Sequence, residues 1–205
     1  MIKSFYGFNK NNSNHFGINL MNIIQIFSKD CPNNKTSLFT YESDFYYDIK
    51  IQTISVRKRW KINIQKKRFQ TTFKKYVEEL IFNDFIREAE YYVALNEDYI
   101  EIGWFSISKQ KWNNTARLWG IDVKKECRRQ GIGTILLEYG ISKAKEWKCR
   151  ALILECQSSN YPAISFYFQN GFNLTGFDLI SYSNEDIEKH EVRLEMSRKL
   201  NFNSK

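Results

Sequence analysis

The chain has 205 residues, of which 42% are hydrophobic and 16% aromatic, enough to bury one sizeable core and a small appendage. A formal charge of +8 suggests an anionic partner, which could be nucleic acid, a membrane surface or a phosphorylated cofactor, and charge alone does not choose among them. Cys31, Cys127, Cys149 and Cys156 match neither a C-x-x-C pair nor a zinc ligand set, and the 2 histidines cannot complete one, so the reading is four ordinary thiols, a reducing compartment and no metal.

Residues 1–45 are rich in Asn, Lys and Ser and read as an N-terminal extension, ordered in part, with one candidate strand around 21–27. The apolar run in that region is interrupted by Asn22 and Gln25, is too short to span a bilayer and precedes no small-residue cleavage site, so the expected location is the cytoplasm. The main domain is expected over 46–200, followed by a tail over 201–205. Ile49, Ile51, Ile54, Val56, Trp60, Ile62 and Ile64 alternate with basic residues, and this period of two predicts a hairpin with one wet, positive face. Phe73, Tyr76, Val77, Leu80, Ile81 and Phe85 fall at helical spacing and predict an amphipathic helix over 70–89. Its other face carries Glu78, Glu79, Asp84 and Glu88, read either as a solvated face balancing Lys74, Lys75 and Arg87 or as an acidic patch.

Residues 91–95 and 100–107 read as two strands joined at Asn96-Glu97-Asp98, and 115–123 as a third after the Asn113-Asn114 turn. A basic glycine turn follows, then a helix to Trp147 and a buried-strand run over 151–156. Strand, crossover helix and strand make a βαβ unit with parallel strands. Asn160 and Pro162 open a short helix ending at Gly171, and 172–182 and 192–196 supply two last strands.

The glycine turn is Arg128-Arg129-Gln130-Gly131-Ile132-Gly133, followed by Thr134. Glycines let backbone N–H groups approach a ligand closely, and a helix N-terminus adds partial positive charge. With two arginines beside it, the turn has the chemistry of a phosphate site; a lone G-x-G reads first as a glycine turn with a solvated basic face. It lacks the Lys-Ser/Thr of a P-loop.

Four blocks in order carry a family resemblance: Ile121-Asp122-Val123 at a strand end, the turn just described, Leu154-Glu155-Cys156-Gln157-Ser158-Ser159-Asn160 at a strand exit, and Ala163-Ile164-Ser165-Phe166-Tyr167-Phe168-Gln169-Asn170-Gly171-Phe172. The chain resembles the GNAT family of N-acetyltransferases, with the core match over about sixty residues and the preceding elements in the family's order. The resemblance implies an α/β (α+β) fold, with a mixed, mostly antiparallel sheet of six to seven strands, a central splayed parallel pair and helices on both faces. It implies acetyl-CoA as co-substrate. Ile121, Asp122 and Val123 would offer backbone groups to the pantetheine, and a bulge N–H the thioester carbonyl. The amides of Arg129, Gln130, Gly131, Ile132, Gly133 and Thr134 would hold the pyrophosphate, with side-chain charge from Arg128 and Arg129. Asn160 matches the position that hydrogen-bonds the cofactor arm and also suits a helix N-cap; Ala163 and Phe166 complete the cofactor set.

Tyr167 matches the tyrosine that protonates the departing thiolate in many relatives, and a core aromatic is its structural alternative. Glu155 stands where the ribosomal-protein N-terminal acetyltransferases have a glutamate proposed as general base, with Asp122 or a water relay as alternatives. Cys156 reads as packing rather than nucleophile. Residues 147–200 resemble the branch that includes streptothricin acetyltransferases, which implies transfer to a primary amine of a small molecule by direct attack in a ternary complex and possible relevance to antibiotic resistance. The basic residues Arg57, Lys58, Arg59, Lys66, Lys67 and Arg68 stand where those enzymes carry acids, which argues against a strongly cationic acceptor, and only the acids on the helix to Glu88, which lines the acceptor side in the family, keep such an acceptor in play. A protein N-terminus or lysine is the competing acceptor. A non-catalytic acyl-CoA-sensing or RNA-binding module is the alternative of another class, although nucleic acid is disfavoured because Trp60 and Phe69 are isolated. No membrane partner is expected, and a homodimer is allowed.

Overall fold

A computed structural model describes residues 14–16, 21–27, 36–54, 59–80 and 88–201. They fall in two compact units: the described residues of Met1–Leu38, Glu78–Ile153 and Lys199–Lys205 form the first, and Phe39–Val77 with Leu154–Arg198 the second.

In the first unit, β1 (Asn14–Phe16) pairs antiparallel with β2 (Met21–Ile26), and β2 with β5 (Glu90–Leu95). Next come β6 (Glu101–Gln110) and β7 (Thr115–Val123), each antiparallel to its predecessor. The strand expected around 21–27 is thus present, and among the described residues the short β1 brings the strands of the mixed sheet to eight. β8 (Ala151–Gln157) begins here, parallel to β7 at Ala116↔Leu152 and Arg117↔Ile153. Between β7 and β8 runs α1 (Ile132–Glu146), the crossover helix. Its buried face, with Leu136, Leu137, Tyr139, Ile141 and Ala144, packs with the strands into a core in which the Tyr92 and Phe105 rings stack at 4.8 Å and Tyr139 tilts against Tyr92 at 5.2 Å. The Asn113-Asn114 turn closes as its chemistry predicts: Asn114 takes φ 52° and Asn113 Oδ1 accepts from the Thr115 N–H at 3.1 Å.

The second unit holds the rest of β8, followed in hydrogen-bonding order by β10 (Arg193–Lys199) and β9 (Asn173–Asp178), which are antiparallel to each other. α2 (Tyr161–Gln169) is the short helix predicted from Asn160 and Pro162. This unit also contains most of a separate two-stranded sheet made by β3 (Thr36–Ile54) and β4 (Arg59–Leu80). The ties Glu42–Lys74 at 3.3 Å, Asp44–Thr72 at 2.7 Å and Asp48–Lys67 at 2.6 Å fall in reverse order, so the strands are antiparallel.

The hairpin is therefore real, but it is longer than predicted and replaces part of the helix expected over 70–89. Residues 70–80 are strand, and 81–87 lie outside the described residues. The reason is a shared pattern. Phe73 and Val77 sit four apart, which suits a helix, but Lys67, Phe69, Phe73, Lys75 and Val77 also share one half-buried face at period two, while Tyr76 is 66% exposed. Pairing with β3, far away in sequence, decides between the two periods.

Candidate active site

The turn after β7 belongs to the first unit and is built mainly from backbone. β7 ends at Val123, a short 3-10 turn covers Lys125–Cys127, and Arg129 and Gly131 then take left-handed conformations at φ 64° and 83°. Successive N–H groups in a turn of this kind can form an anion-binding concavity. Gly131 is the N-cap of α1 and has no side chain to cap it, and the first turn of the helix carries no acid. The leading N–H groups of α1, on Ile132, Gly133 and Thr134, thus lie where an intrahelical acceptor does not exist. A Cβ at Gly131 would meet nothing within 4 Å, so the glycine is required by conformation rather than by crowding.

Arg128 does something the sequence does not reveal. Its Nε donates to the Val123 carbonyl at 2.8 Å, and its guanidinium pairs with Asp122 at 3.2 Å, so the side chain folds back and ties the turn to the strand end. Burial raises the proton affinity of Asp122 above the usual carboxylate range, and the charge of Arg128 pulls it partly back. Gly103 of β6, in register with Val123, permits this strand end: a Cβ there would stand 2.8 Å from the Asp122 carbonyl oxygen. The register between β6 and β7 shifts between Ser106 and Ile107, leaving Trp119 as the extra residue. The bulge therefore lies upstream of Ile121, Asp122 and Val123.

The second unit contributes side chains. Along β8, Leu154 and Cys156 are buried, while Glu155 and Gln157 lie half-buried on the other face. Cys156 contacts Met196 sulfur to sulfur at 3.7 Å, and burial pushes its thiol well above the usual range, as suits packing. The Glu155 carboxylate is held from two sides: Arg193 of β10 pairs with Oε2 at 2.7 Å, and the Tyr182 hydroxyl donates to Oε1 at 3.3 Å. Burial first, and the nearby Glu155 charge second, push the Tyr182 phenol up. At the end of β8, the Tyr41 hydroxyl donates to Gln157 Oε1 at 2.9 Å and lies 2.8 Å from Ser159 Oγ, while Ser158 Oγ donates to the His190 carbonyl at 2.7 Å. These bonds fix the strand exit that delivers Asn160.

Asn160 caps α2 through its side-chain oxygen, which accepts from Ala163 N–H at 3.2 Å. Ala163 and Phe166 are half-buried in that helix, and Tyr167 is 7% exposed between Phe166 and Phe172, at centroid distances of 5.4 and 5.8 Å.

The predicted residues thus divide by unit. Ile121, Asp122, Val123, Arg128, Arg129, Gln130, Gly131, Ile132, Gly133 and Thr134 lie in the first, and Glu155, Asn160, Ala163, Phe166 and Tyr167 in the second. Sequence reasoning missed Arg193, Tyr182 and Tyr41; only the alternation of Arg193 and Glu195 along a strand hints at a polar face, and nothing in it names the partner. The hairpin cations are partly committed: Lys67 pairs with Asp48 at 2.6 Å, and Lys66 sits 4.4 Å from the Phe45 ring centroid and donates to the Tyr161 hydroxyl at 3.2 Å. Among the acids expected on the helix to Glu88, Glu78 accepts from Thr36 at 2.8 Å and Glu88 pairs with Lys111 at 2.7 Å, while Asp84 lies outside the described residues. Cys127, Cys149 and Cys156 are free thiols. Among the described residues no group of three or more His, Cys, Asp or Glu could hold a metal ion, and no helix is long and apolar enough to cross a membrane.

Residues 61–172, more than half of the chain, match the model of the acetyltransferase (GNAT) family. Streptothricin acetyltransferase A of Bacillus subtilis (strain 168) is 38% identical over 76 residues, covering 37% of this chain and 44% of that protein. The chain spans about half the length of the curated relatives it matches. Among solved structures, a Bacillus anthracis str. Ames protein assigned as a streptothricin acetyltransferase, in complex with acetyl coenzyme A, superimposes with a TM-score of 0.67 at 25% identity, covering 88% of this chain and 99% of that one. Nourseothricin acetyltransferase shares the fold, with a TM-score of 0.69 at 21% identity over 88% of this chain and 99% of its own.

Proposed function

This chain belongs to the acetyltransferase (GNAT) family, and we propose that it transfers an acetyl group from acetyl-CoA to a primary amine of a small molecule, of the streptothricin kind, by direct attack in a ternary complex. The observation that carries the cofactor half is the N-terminus of α1: its N-cap is a glycine with no side chain to cap it, its first turn is free of acids, and two left-handed residues lead into it. Such an end suits the pyrophosphate of a CoA ester, with the amides from Arg129, Gln130, Gly131, Ile132, Gly133 and Thr134 as donors. Ile121, Asp122 and Val123 lend backbone groups to the pantetheine, and Asn160, Ala163 and Phe166 complete the cofactor set. When bound, acetyl-CoA supplies an activated acyl group with a thiolate leaving group.

The chain's own residues then manage protons. An amine near pKa 10 is mostly protonated at neutral pH and must lose a proton before it attacks. Glu155, a half-buried carboxylate, accepts it, and the Tyr167 phenol donates to the departing sulfur. The acceptor class is supported by the streptothricin acetyltransferases among the relatives and by the partial pairing of the hairpin cations, which removes part of the objection to a cationic acceptor. Calorimetric titration with acetyl-CoA tests the cofactor half: saturable binding is expected, and no heat at millimolar ligand would sink it.

A further inference from the structure

We propose that Arg193 is a positioning residue, which holds the Glu155 carboxylate in the orientation that receives the proton of the acceptor amine. The inference rests on the acetyltransferase reading above and adds to it a residue outside the four sequence blocks. Arg193 and Glu195 are two apart on β10 and so share a face. β8 is the hydrogen-bonded neighbour of β10, and Glu155 stands on the same side as this pair, while Leu154, Cys156, Leu194 and Met196 are buried on the other.

The guanidinium bridges two carboxylates. Its terminal nitrogen Nη2 lies 2.7 Å from Glu155 Oε2 and 2.5 Å from Glu195 Oε1, its Nε donates to that same Glu195 oxygen at 2.9 Å, and Nη1 donates to Ser181 Oγ at 3.4 Å. All three nitrogens are thus engaged, and the planar fork has one orientation that satisfies them. Glu195 fixes the arginine, and the arginine in turn fixes Glu155. Tyr182 takes the other oxygen of Glu155. A flexible glutamate without such a holder would sample several rotamers, and displacement by about 1 Å is enough to cost on the order of a hundredfold in rate.

The test compares the full-length parent with Arg193→Met, Arg193→Lys and Glu195→Gln, using streptothricin as acceptor and free thiol release as readout. For Arg193→Met, kcat should fall by about 10- to 100-fold while the KM for acetyl-CoA stays within twofold. Arg193→Lys should recover part of the loss, because one ammonium can still reach Glu155. Glu195→Gln should lose less than Arg193→Met, because the guanidinium keeps its other partner. Two results overturn the inference: Arg193→Met retaining kcat within twofold, or Arg193→Lys doing no better than Arg193→Met while both melt at the parent temperature. Failure of the underlying reading looks different: a parent that binds no acetyl-CoA, or that binds it and acetylates neither streptothricin nor any of a panel of primary amines, overturns both.

Discussion

The two units of this chain carry different kinds of candidate chemistry. In the first, the turn from Val123 to α1 is a backbone device: left-handed residues, an uncapped helix end, and one arginine spent on tying the turn to its strand. In the second, β8, β10 and α2 present side chains: Glu155 held by Arg193 and Tyr182, Asn160 spent on a cap, and Tyr167 packed between aromatics. The difference teaches that substitutions should separate by readout. Changes in the turn of the first unit should act on cofactor affinity and stability, and changes at Glu155 and Tyr167 in the second on turnover.

The largest expected effect is on turnover. Tyr167→Phe keeps the ring and its packing but removes the proposed proton donor, so kcat should fall by about 10²-fold or more with acetyl-CoA affinity unchanged. Stopped-flow or steady-state thiol release beside calorimetry checks this, and unchanged turnover would remove the acid role. Next is Gly103→Ala, whose Cβ would press on the Asp122 carbonyl oxygen at 2.8 Å and on Leu136 Cδ1 at 3.0 Å. Overpacking of this kind costs about 1–3 kcal/mol, read as a lower denaturant midpoint. Gly131→Ala meets no atoms but forces alanine to φ 83°, at about 1–2 kcal/mol. If that strain is relieved by moving the turn, acetyl-CoA affinity should drop roughly tenfold with kcat at saturation retained.

The smallest effect is on the order of 1 kcal/mol, from Arg128→Ala. It also carries a pH signature. Burial raises the folded-state proton affinity of Asp122, so this group's contribution is fully present below the unfolded carboxyl range and is lost as pH rises through the folded value. Arg128 opposes that rise, so its removal should extend the loss. The melting temperature of Arg128→Ala should therefore fall further below the parent at pH 8 than at pH 4. Equal deficits at both would mean that the Arg128 contact with the Val123 carbonyl, and not its charge on Asp122, is what matters.

Local signals made most of this legible from sequence. The glycine turn, the Asn160 cap with Pro162, the Asn113-Asn114 turn and the buried runs of β5 to β8 each depend on residues close together in the chain, and each appears where its chemistry puts it. Two things did not. The stretch from Thr71 to Leu80 satisfies both helical and strand spacing, and only its pairing with β3 resolves the conflict. Arg193 and Tyr182 reach Glu155 from segments distant in sequence, and Arg128 folds back instead of pointing outward. Side-chain partners across strands are long-range facts that composition and periodicity do not encode.

The most direct test of the central claim is turnover of the full-length protein with acetyl-CoA and streptothricin, followed by thiol release and by mass spectrometry of the antibiotic. The account predicts one thiol released for each acetyl group gained by the drug, on an amine. Saturable acetyl-CoA binding with no acetyl gain on streptothricin, and none on other small primary amines, would contradict it.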